Sequence, residues 1–189
     1  MCRHQALTVL TKMNFIIKQH SLMNLFFLHL NAVLAAKQQC DKHVVKMLLE
    51  TAQILSSVCR YFCIDDCECL YKETHKNHPV VIWTRTSNEN FEWVIEHGFA
   101  LCREYTLRYN KIHKSEAIIA KINELYKSKR DNFNFPIVGF TQPEMCMPDE
   151  YKINNDIVAS YRMYYIKDKS SFAKWKYTPV PEWFSISVN

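Results

Sequence analysis

Glycine is nearly absent from this chain, and its scarcity limits the possible folds more than any other feature of the sequence. The 189 residues include two glycines, Gly98 and Gly139, and six prolines. Both residue types interrupt regular structure, so their rarity favours long helices joined by few turns. Two glycines this far apart form neither a phosphate-binding loop, nor a dinucleotide fingerprint, nor a nucleophile elbow. The sequence therefore excludes P-loop enzymes, ordinary Rossmann dehydrogenases and α/β-hydrolases.

The length of the chain predicts one domain with a substantial hydrophobic core. Residues 1–22 have weak hydrophobic periodicity, whereas an apolar run opens at Met23. We therefore predict an N-terminal extension over 1–22 and a single, mainly α-helical domain over 23–189, for which one short N-terminal strand is an option. Helical periodicity covers about 32–59, as one helix or two abutting ones, and then 87–113, 115–129 and 156–175.

Eight cysteines set an expectation about the redox environment of the protein. Their clustering between Cys59 and Cys69 does not match a small secreted disulfide scaffold, and a chain of this length does not need disulfides to build a core. We therefore expect reduced thiols inside a host cell, in its cytoplasm or nucleus. Residues 22–36 are apolar over about 15 residues, fewer than the ~20 that span a bilayer, so we expect no membrane partner.

The same cysteine-rich region offers the ligand types that zinc prefers. Cys63, Cys67 and Cys69 precede His75 and His78, and the two histidines have HxxH spacing. The CxxxCxC spacing of the cysteines is nevertheless uncommon for zinc sites. We therefore expect no metal and no cofactor, with zinc as the alternative for this loop.

Positive charge is mild overall and concentrated locally. Lysine and arginine outnumber aspartate and glutamate by 24 to 19, which gives a formal charge of +5. The segment 108–130 is rich in lysine and includes Lys111 and Lys114. Such a cluster fits the binding of DNA or a nucleotide, and it also fits an ordinary solvated helix face. The sequence leaves the oligomeric state open.

Residues 40–53, CDKHVVKMLLETAQ, place many polar groups on one predicted helix. At ~100° per residue, one broad side is apolar and consists of Val44, Val45, Leu48, Leu49, Ala52 and Leu55. The opposite side is a narrow polar stripe that consists of His43, Lys46, Glu50 and Gln53. This pattern is typical of an amphipathic helix with a solvent-facing Lys46–Glu50 pair, and it is also compatible with a stripe that lines a site.

The predicted helix that starts near Ser87 has a second polar stripe in addition to its charged, solvent-facing side. That stripe contains Asn90, Trp93, His97, Glu104 and Arg108. Because one face already serves solvent, we predict that the stripe is half-buried against a cleft or against another polar helix. Within it, Glu104 and Arg108 are predicted first as a structural ion pair, since an unpaired buried charge is strongly unfavourable.

The polar segment 74–90 lies between these two helices in the sequence, and we predict that it is a loop. It contains His75, His78, Trp83, Arg85 and Asn90. Guanidinium groups bind phosphate and indole rings stack on bases, so the segment fits a planar, phosphorylated ligand. A loop that hydrogen-bonds to itself is the alternative.

Several ordered motifs connect the chain to a known family. They are MNLFFLHLNAVLAAKQQCDKHVVKMLLETAQ, YKETHKNHPVVIWTRTSNENFEW, EYTLRYNKIHK, MPDEYK, and YRMYYIKDK followed by PVPEWF. Over 23–184 the chain resembles a family of small proteins of tailed phages and large DNA viruses, some of which are labelled pyrimidine-dimer DNA glycosylases. The resemblance implies a start equivalent to Met23 and an activity on DNA. The chain departs from the family pattern LDxDP at Leu28–Ala32, where it reads LHLNA.

Together these observations predict a viral enzyme that acts on DNA or a nucleotide, with base excision by a glycosylase as one candidate reaction. We place its site in a polar cleft between the helix of Lys46 and the helix of His97, edged by residues 75–90. The alternatives are a nonenzymatic nucleic-acid-binding protein and a virion or host-interaction protein.

Each candidate residue has a chemical role in this hypothesis. The candidate catalytic residues are Lys46, Glu50, Asp41, His43 and His78. Lys46 serves as amine nucleophile or phosphate anchor, and Glu50 or Asp41 is its acid–base partner. The two histidines transfer protons or bind the substrate. The candidate nucleic-acid-binding residues are Arg85, Asn90, Trp93, His97, Arg108, Lys111 and Lys114.

Overall fold

The computed structural model describes residues 23–188, and the extension predicted for 1–22 lies outside this range. Within the described range, seven α-helices form a single helical domain, which confirms the predicted fold class. They are α1 (Ala32–Lys37), α2 (Asp41–Tyr61), α3 (Pro79–Thr84), α4 (Asn88–Tyr109), α5 (Ser115–Ser128), α6 (Ile157–Tyr164) and α7 (Glu182–Val188). Short 3₁₀ turns lie at Arg130–Asn132 and Asp149–Tyr151, and the π-helical turn Tyr165–Lys169 continues α6.

The optional N-terminal strand does not form in the described part of the chain. Residues 23–27 belong to no strand, and side chains accept the backbone N–H groups of residues 24–26. The Asn24 N–H donates to the Glu50 carboxylate at 2.9 Å. The N–H groups of the next two residues donate to the Asn24 side-chain oxygen at 2.8 and 2.9 Å. This segment is therefore not part of a sheet, and it is held to α2 by a hydrogen bond to a buried carboxylate.

Side chains that accept free backbone N–H groups set the predicted helix starts. Ser87 Oγ accepts from Asn90 N at 3.1 Å before α4. Asp156 Oδ1 accepts from Ala159 N at 2.9 Å before α6. Both helices therefore begin where the sequence predicts. Of the two options for residues 32–59, the structure has two helices, α1 and α2.

The predicted loop 74–90 is wrong in one respect, because it contains the short helix α3. Pro79 occupies the first helical turn, where a missing N–H leaves no hydrogen bond unmade. The His78 ring accepts a hydrogen bond from Val80 N at 3.3 Å. The residue before this proline therefore starts a helix.

α2 is the central helix and packs against α3, α4 and α5, while α1 packs along α4. Gly98 on α4 permits a close approach, since a Cβ atom there would lie 3.2 Å from both Thr51 and Ile119. The fully buried core side chains include Phe27, Leu48, Leu55, Phe91, Leu101 and Tyr161. No helix between residues 23 and 188 is long and apolar enough to cross a membrane.

The two sides of α2 differ from the predicted pattern. Val45 and Leu49, predicted to be on the core side, are 38% and 41% exposed. His43 and Glu50, from the polar stripe, are 6% and 5% exposed. The reason is tertiary, because the segment 23–28 and aromatic rings near the end of α6 cover this stripe.

One buried guanidinium joins three parts of the domain. Arg108 has no exposed side-chain surface, and it makes five hydrogen bonds, one for each of its N–H groups. It donates to Glu104 at 2.8 and 3.1 Å, to Asp41 at 3.1 Å, and to the carbonyls of Lys37 and Gln39 at 3.1 and 2.8 Å. The predicted Glu104–Arg108 ion pair is confirmed, and it extends to α1 and to the start of α2.

Replacement of Arg108 by methionine is expected to lower the free energy of unfolding by about 3–5 kcal/mol, because two carboxylates would stay buried without a cation. Urea unfolding followed by circular dichroism measures the change. The matched control is Arg103→Met on the exposed side of the same helix, which is expected to change stability by less than about 0.5 kcal/mol. Equal effects of the two substitutions would contradict the structural role of Arg108.

Candidate active site

The Glu50 carboxylate interacts with two nitrogen atoms, one through an ion pair and one through a hydrogen bond. Its Oε1 atom lies 3.1 Å from the Lys46 ammonium, one turn earlier on α2. Its Oε2 atom accepts the backbone N–H of Asn24 at 2.9 Å. Glu50 is buried and the Lys46 side chain is 56% exposed, so the pair connects the interior to solvent. We call these groups, together with His43, the Glu50 site.

The segment that covers Glu50 has a strained backbone. Phe26 has a φ of 48°, a conformation that non-glycine residues rarely adopt. The Asn24 side chain holds this turn, because its oxygen accepts two backbone N–H groups and its nitrogen donates to the Cys146 carbonyl at 2.9 Å. Strain of this kind is concentrated at functional sites. Here its result is a Phe26 ring that stacks on His43 with centroids 4.3 Å apart.

His43 is enclosed by aromatic side chains from both ends of the described chain. Its Nδ1 atom is hydrogen-bonded to the Tyr165 hydroxyl, and its ring stacks on Phe26. The ring also meets the edge of Phe172, with centroids 5.5 Å apart. Burial, assisted by three nearby lysines, lowers the pKa of His43 to about 3. His43 is therefore a neutral imidazole near pH 7.

Those three lysines outnumber the two carboxylates with which they are paired, Glu50 and Asp168, so the surroundings of His43 carry a net positive charge. They are Lys169, Lys46 and Lys42. Lys169 lies on the π-helical turn after α6, where its ammonium donates to the Tyr164 hydroxyl at 2.9 Å and pairs with Asp168 at 2.7 Å. Positive charge of this kind attracts the phosphates of a nucleic acid.

Burial also changes the acidity of the carboxyl group at the centre of the site. It raises the pKa of Glu50, although the Lys46 ammonium and the Asn24 N–H oppose the shift. A carboxyl group with a raised pKa exchanges protons more readily near neutral pH, which suits general acid–base catalysis. The site therefore combines an amine, an acid–base group and a neutral imidazole.

The structure brings together three of the predicted catalytic residues, Lys46, Glu50 and His43, along α2. The predicted catalytic role of Asp41 needs a correction, because both of its carboxylate oxygens accept hydrogen bonds within the protein. One pairs with Arg108 at 3.1 Å, and the other accepts the backbone N–H of Lys176 at 2.9 Å. Asp41 is therefore a structural residue.

His78 is buried at the start of α3, where its ring accepts the backbone N–H of Val80 at 3.3 Å. Its role in proton transfer stays a prediction.

The predicted contact with nucleic acid needs a correction for four residues, because their side chains are buried in the core. They are Asn90, Trp93, His97 and Arg108, with exposed fractions between 0% and 8%. The Trp93 indole donates to the Leu30 carbonyl at 2.7 Å. His97 Nε2 is hydrogen-bonded to the Gln39 amide at 3.1 Å. The predicted cleft beside His97 is closed, since α1 lies along this side of α4.

The other predicted binding residues lie nearer the surface. The Arg85 guanidinium lies 4.0 Å from the centre of the Tyr61 ring, at the far end of α2. The helix between Lys46 and Tyr61 is about 22 Å long at ~1.5 Å per residue, so Arg85 does not share a site with Lys46. Lys111 and Lys114 are exposed between α4 and α5, and their contact with nucleic acid stays a prediction.

The cysteine-rich region lacks the ligand set of a zinc site. Among residues 23–188, no three His, Cys, Asp or Glu side chains are grouped so that they could hold a metal ion. Cys59 and Cys67 instead share a hydrogen bond, which raises the pKa of the Cys59 thiol and lowers that of Cys67 to about 7.

The departure from the LDxDP pattern lies in a turn before α1. Asn31 occupies the second acidic position and caps α1, with its side-chain oxygen 3.0 Å from Leu34 N. Asparagine caps helices about as well as aspartate does. At the first acidic position, the His29 ring accepts a hydrogen bond from Asn31 N at 2.9 Å. The departure therefore changes a helix cap and leaves the amine–carboxyl pair intact.

Four residues of this region are not among those predicted from the sequence: Asn24, Phe26, Tyr165 and Lys169. The first two belong to the segment for which a strand was an option, where nothing local indicates a contact with α2. A signal did exist for Lys169. Residues 167–176 include four lysines among aromatic residues, a higher density of positive charge than in 108–130.

The fold and the site define a class of protein: a small helical domain in which an amine and a buried carboxyl group meet beside a positive surface. A family model described as pyrimidine dimer DNA glycosylase matches residues 23–117, which is half of the chain. The matched segment contains Asn24, His43, Lys46 and Glu50. The chain belongs to the pyrimidine dimer DNA glycosylase family. Comparisons with curated proteins and with solved structures give no match.

His43 leads to a pH dependence of stability. Its pKa is about 3 in the folded protein and 6.5 when unperturbed, so between these values the unfolded chain binds a proton that the folded protein does not. The free energy of unfolding is therefore expected to decrease as the pH falls from 6.5 towards 3, by up to about 1.4 kcal/mol per pH unit. Urea titrations over this range are expected to show a smaller slope for His43→Asn.

The control for this experiment is His75→Asn, since His75 is exposed and its replacement is expected to leave the slope unchanged. A slope in His43→Asn equal to that of the unaltered protein would mean that His43 can be protonated within the fold.

Proposed function

We propose that the protein is a DNA glycosylase that removes damaged pyrimidine bases through an amine held at Glu50. The observation that carries the proposal is the buried Glu50 carboxyl group with the Lys46 nitrogen 3.1 Å away. Membership in the pyrimidine dimer DNA glycosylase family supports the substrate and the reaction. The lysines around His43 support the binding of a phosphate backbone beside this pair.

The proposed reaction uses the two groups of the pair in succession. Glu50 first takes a proton from the Lys46 ammonium, and the neutral nitrogen then attacks C1′ of the damaged nucleotide while the bond from C1′ to the base breaks. The base leaves with that electron pair and takes the proton from Glu50. Glu50 next accepts a proton from the attached nitrogen and passes it to the ring oxygen as the sugar ring opens, which leaves a protonated imine between the nitrogen and C1′. The raised pKa of Glu50 supports both roles.

The damaged nucleotide must leave the base stack to reach this carboxyl group, because Glu50 is buried under the segment of Asn24. Extrusion is less costly for a damaged nucleotide than for a paired one, since fewer stacking and pairing interactions are broken. The enclosed position of Glu50 therefore favours damaged bases over intact ones.

The Asn24 backbone nitrogen is a second candidate for the attacking atom. It lies 2.9 Å from Glu50, and the family match begins one residue before it. Inside a longer chain this nitrogen is an unreactive amide, but in a chain that begins at Asn24 it is an α-amine. An α-amine has a pKa near 8, about two units below that of lysine, so a larger fraction is neutral at pH 7. Both amines depend on the same carboxyl group.

Borohydride reduction in the presence of a duplex that contains a thymine dimer is expected to trap a covalent protein–DNA complex, because it converts the imine into a stable amine. Glu50→Gln is expected to lower base release and trapping by roughly 100-fold or more, since the acid–base group is removed. Peptide mapping by mass spectrometry identifies the attached nitrogen. Lys46→Ala, and a chain that begins at Asn24, are tested in parallel.

Lys121→Ala on α5 is the matched control and is expected to trap at the unaltered level. Loss of the adduct in Lys46→Ala assigns the attack to Lys46. An adduct that persists in Lys46→Ala and maps to the first residue of the chain that begins at Asn24 assigns it to the α-amine. If no form releases a base or traps DNA while DNA is still bound, the glycosylase proposal is refuted in favour of a nonenzymatic binding protein.

A further inference from the structure

A second concave site lies beside the Glu50 site. It is a cavity of about 490 Å³ whose lining includes Lys42, Tyr109, Phe172, Lys174, Lys176 and Tyr177. Residues 172–177 lie beyond the segment that the family model matches. The lining combines three ammonium groups with three aromatic rings, a composition suited to a ligand that carries both phosphate and a planar base.

Backbone hydrogen bonds to Asp41 hold the lysines of this cavity on one side. The Lys174 carbonyl accepts the Asp41 N–H at 2.8 Å, and the Lys176 N–H donates to the Asp41 carboxylate at 2.9 Å. These bonds attach residues 174–176 to the first turn of α2, next to Lys42. The Asp41 carboxylate is also paired with buried Arg108. The lining carries three lysines and this one carboxylate, so the cavity is positive.

The aromatic rings provide flat surfaces beside this charge. The Lys42 ammonium lies 5.0 Å from the centre of the Phe172 ring. Tyr177 is 56% exposed, and its ring meets Tyr109 with centroids 5.8 Å apart. An exposed ring next to ammonium groups is the combination by which proteins hold single nucleic-acid strands, because the base stacks while the phosphate is neutralised.

The cavity is adjacent to the Glu50 site. Phe172 contacts both, because its ring also meets His43 with centroids 5.5 Å apart. Lys42 precedes Lys46 by one helical turn, which is about 6 Å along the axis. A strand whose damaged nucleotide reaches Glu50 would therefore carry a neighbouring nucleotide to this cavity.

We propose that this cavity binds the DNA strand next to the damaged nucleotide, with phosphates on Lys42, Lys174 and Lys176 and a neighbouring base stacked on Tyr177. The inference rests on the proposed function and identifies the strand-binding surface of the same site. It places this contact in the C-terminal part of the chain, whereas the sequence favours the basic segment 108–130.

The lysines are tested by equilibrium binding of the full chain to undamaged single-stranded DNA over a series of salt concentrations. The double variant Lys174→Ala, Lys176→Ala is expected to reduce the slope of log affinity against log salt by about 1.4, at ~0.7 for each phosphate that is no longer neutralised. The matched control, Lys121→Ala with Lys127→Ala on α5, removes the same charge elsewhere and is expected to keep the slope. An equal reduction in both double variants, or no reduction in the first, would overturn the proposal.

The aromatic contact is tested with two replacements of one residue. Tyr177→Ala is expected to weaken binding to the same single strand by roughly 10-fold, because a stacked base loses its platform, whereas Tyr177→Phe keeps the ring and the affinity. Tyr61→Ala removes a tyrosine of similar exposure at the far end of α2 and serves as the control. Equal affinities of the alanine and phenylalanine variants at residue 177 would refute base stacking there.

These binding measurements use undamaged DNA, so their outcome does not depend on base release. If trapping fails while the salt slope still depends on Lys174 and Lys176, the glycosylase reaction is refuted and the cavity is retained. If trapping succeeds while the salt slope does not depend on these lysines, DNA binding by the cavity is refuted and the reaction is retained.

Discussion

The Arg108 guanidinium is the interaction on which the positions of both sites depend. It is fully buried, and its N–H groups bond to the end of α1, to the start of α2 and to a carboxylate on α4. An unpaired guanidinium inside a protein is strongly unfavourable, so these segments keep one arrangement. The Asp41 carboxylate that pairs with it also holds residues 174–176. The first turn of α2, which carries Lys42 and leads to Glu50, is therefore fixed from two sides.

Burial favours the neutral forms of both titratable groups on the covered side of α2. It raises the pKa of Glu50 and lowers the pKa of His43. The burial has two sources, the peptide segment that bonds Glu50 through Asn24 and the Tyr165 ring that contacts His43. Lys46 remains exposed at the edge of this covered region. A polar stripe that is closed by protein and open at one amine has the properties of a reactive site, which a fully hydrated helix face lacks.

Periodicity and capping residues are sufficient to predict the long helices α2, α4 and α5 and the start of α6, because both act within a few residues of the chain. The caps of α4 and α6 at Ser87 and Asp156 follow from such local chemistry. The burial of His43 and Glu50 does not, since helical periodicity shows which residues share a side but not which distant segment covers it. The same limit applies to α4. Its second polar stripe is predicted to be half-buried, but only the structure shows that α1, and no cleft, lies against His97.

The family match ends at residue 117, but the Glu50 site continues beyond it. Tyr165, which is hydrogen-bonded to His43, and Lys169 come from the π-helical turn that continues α6. In a regular α-helix, residues five apart point in directions that differ by ~140°, whereas the i to i+5 bonding of a π-helix brings them to one side. Lys169 thereby reaches the Tyr164 hydroxyl at 2.9 Å and stays beside the imidazole. The π-helical turn adds a cation that the matched segment cannot supply, so the C-terminal third is part of the candidate active site.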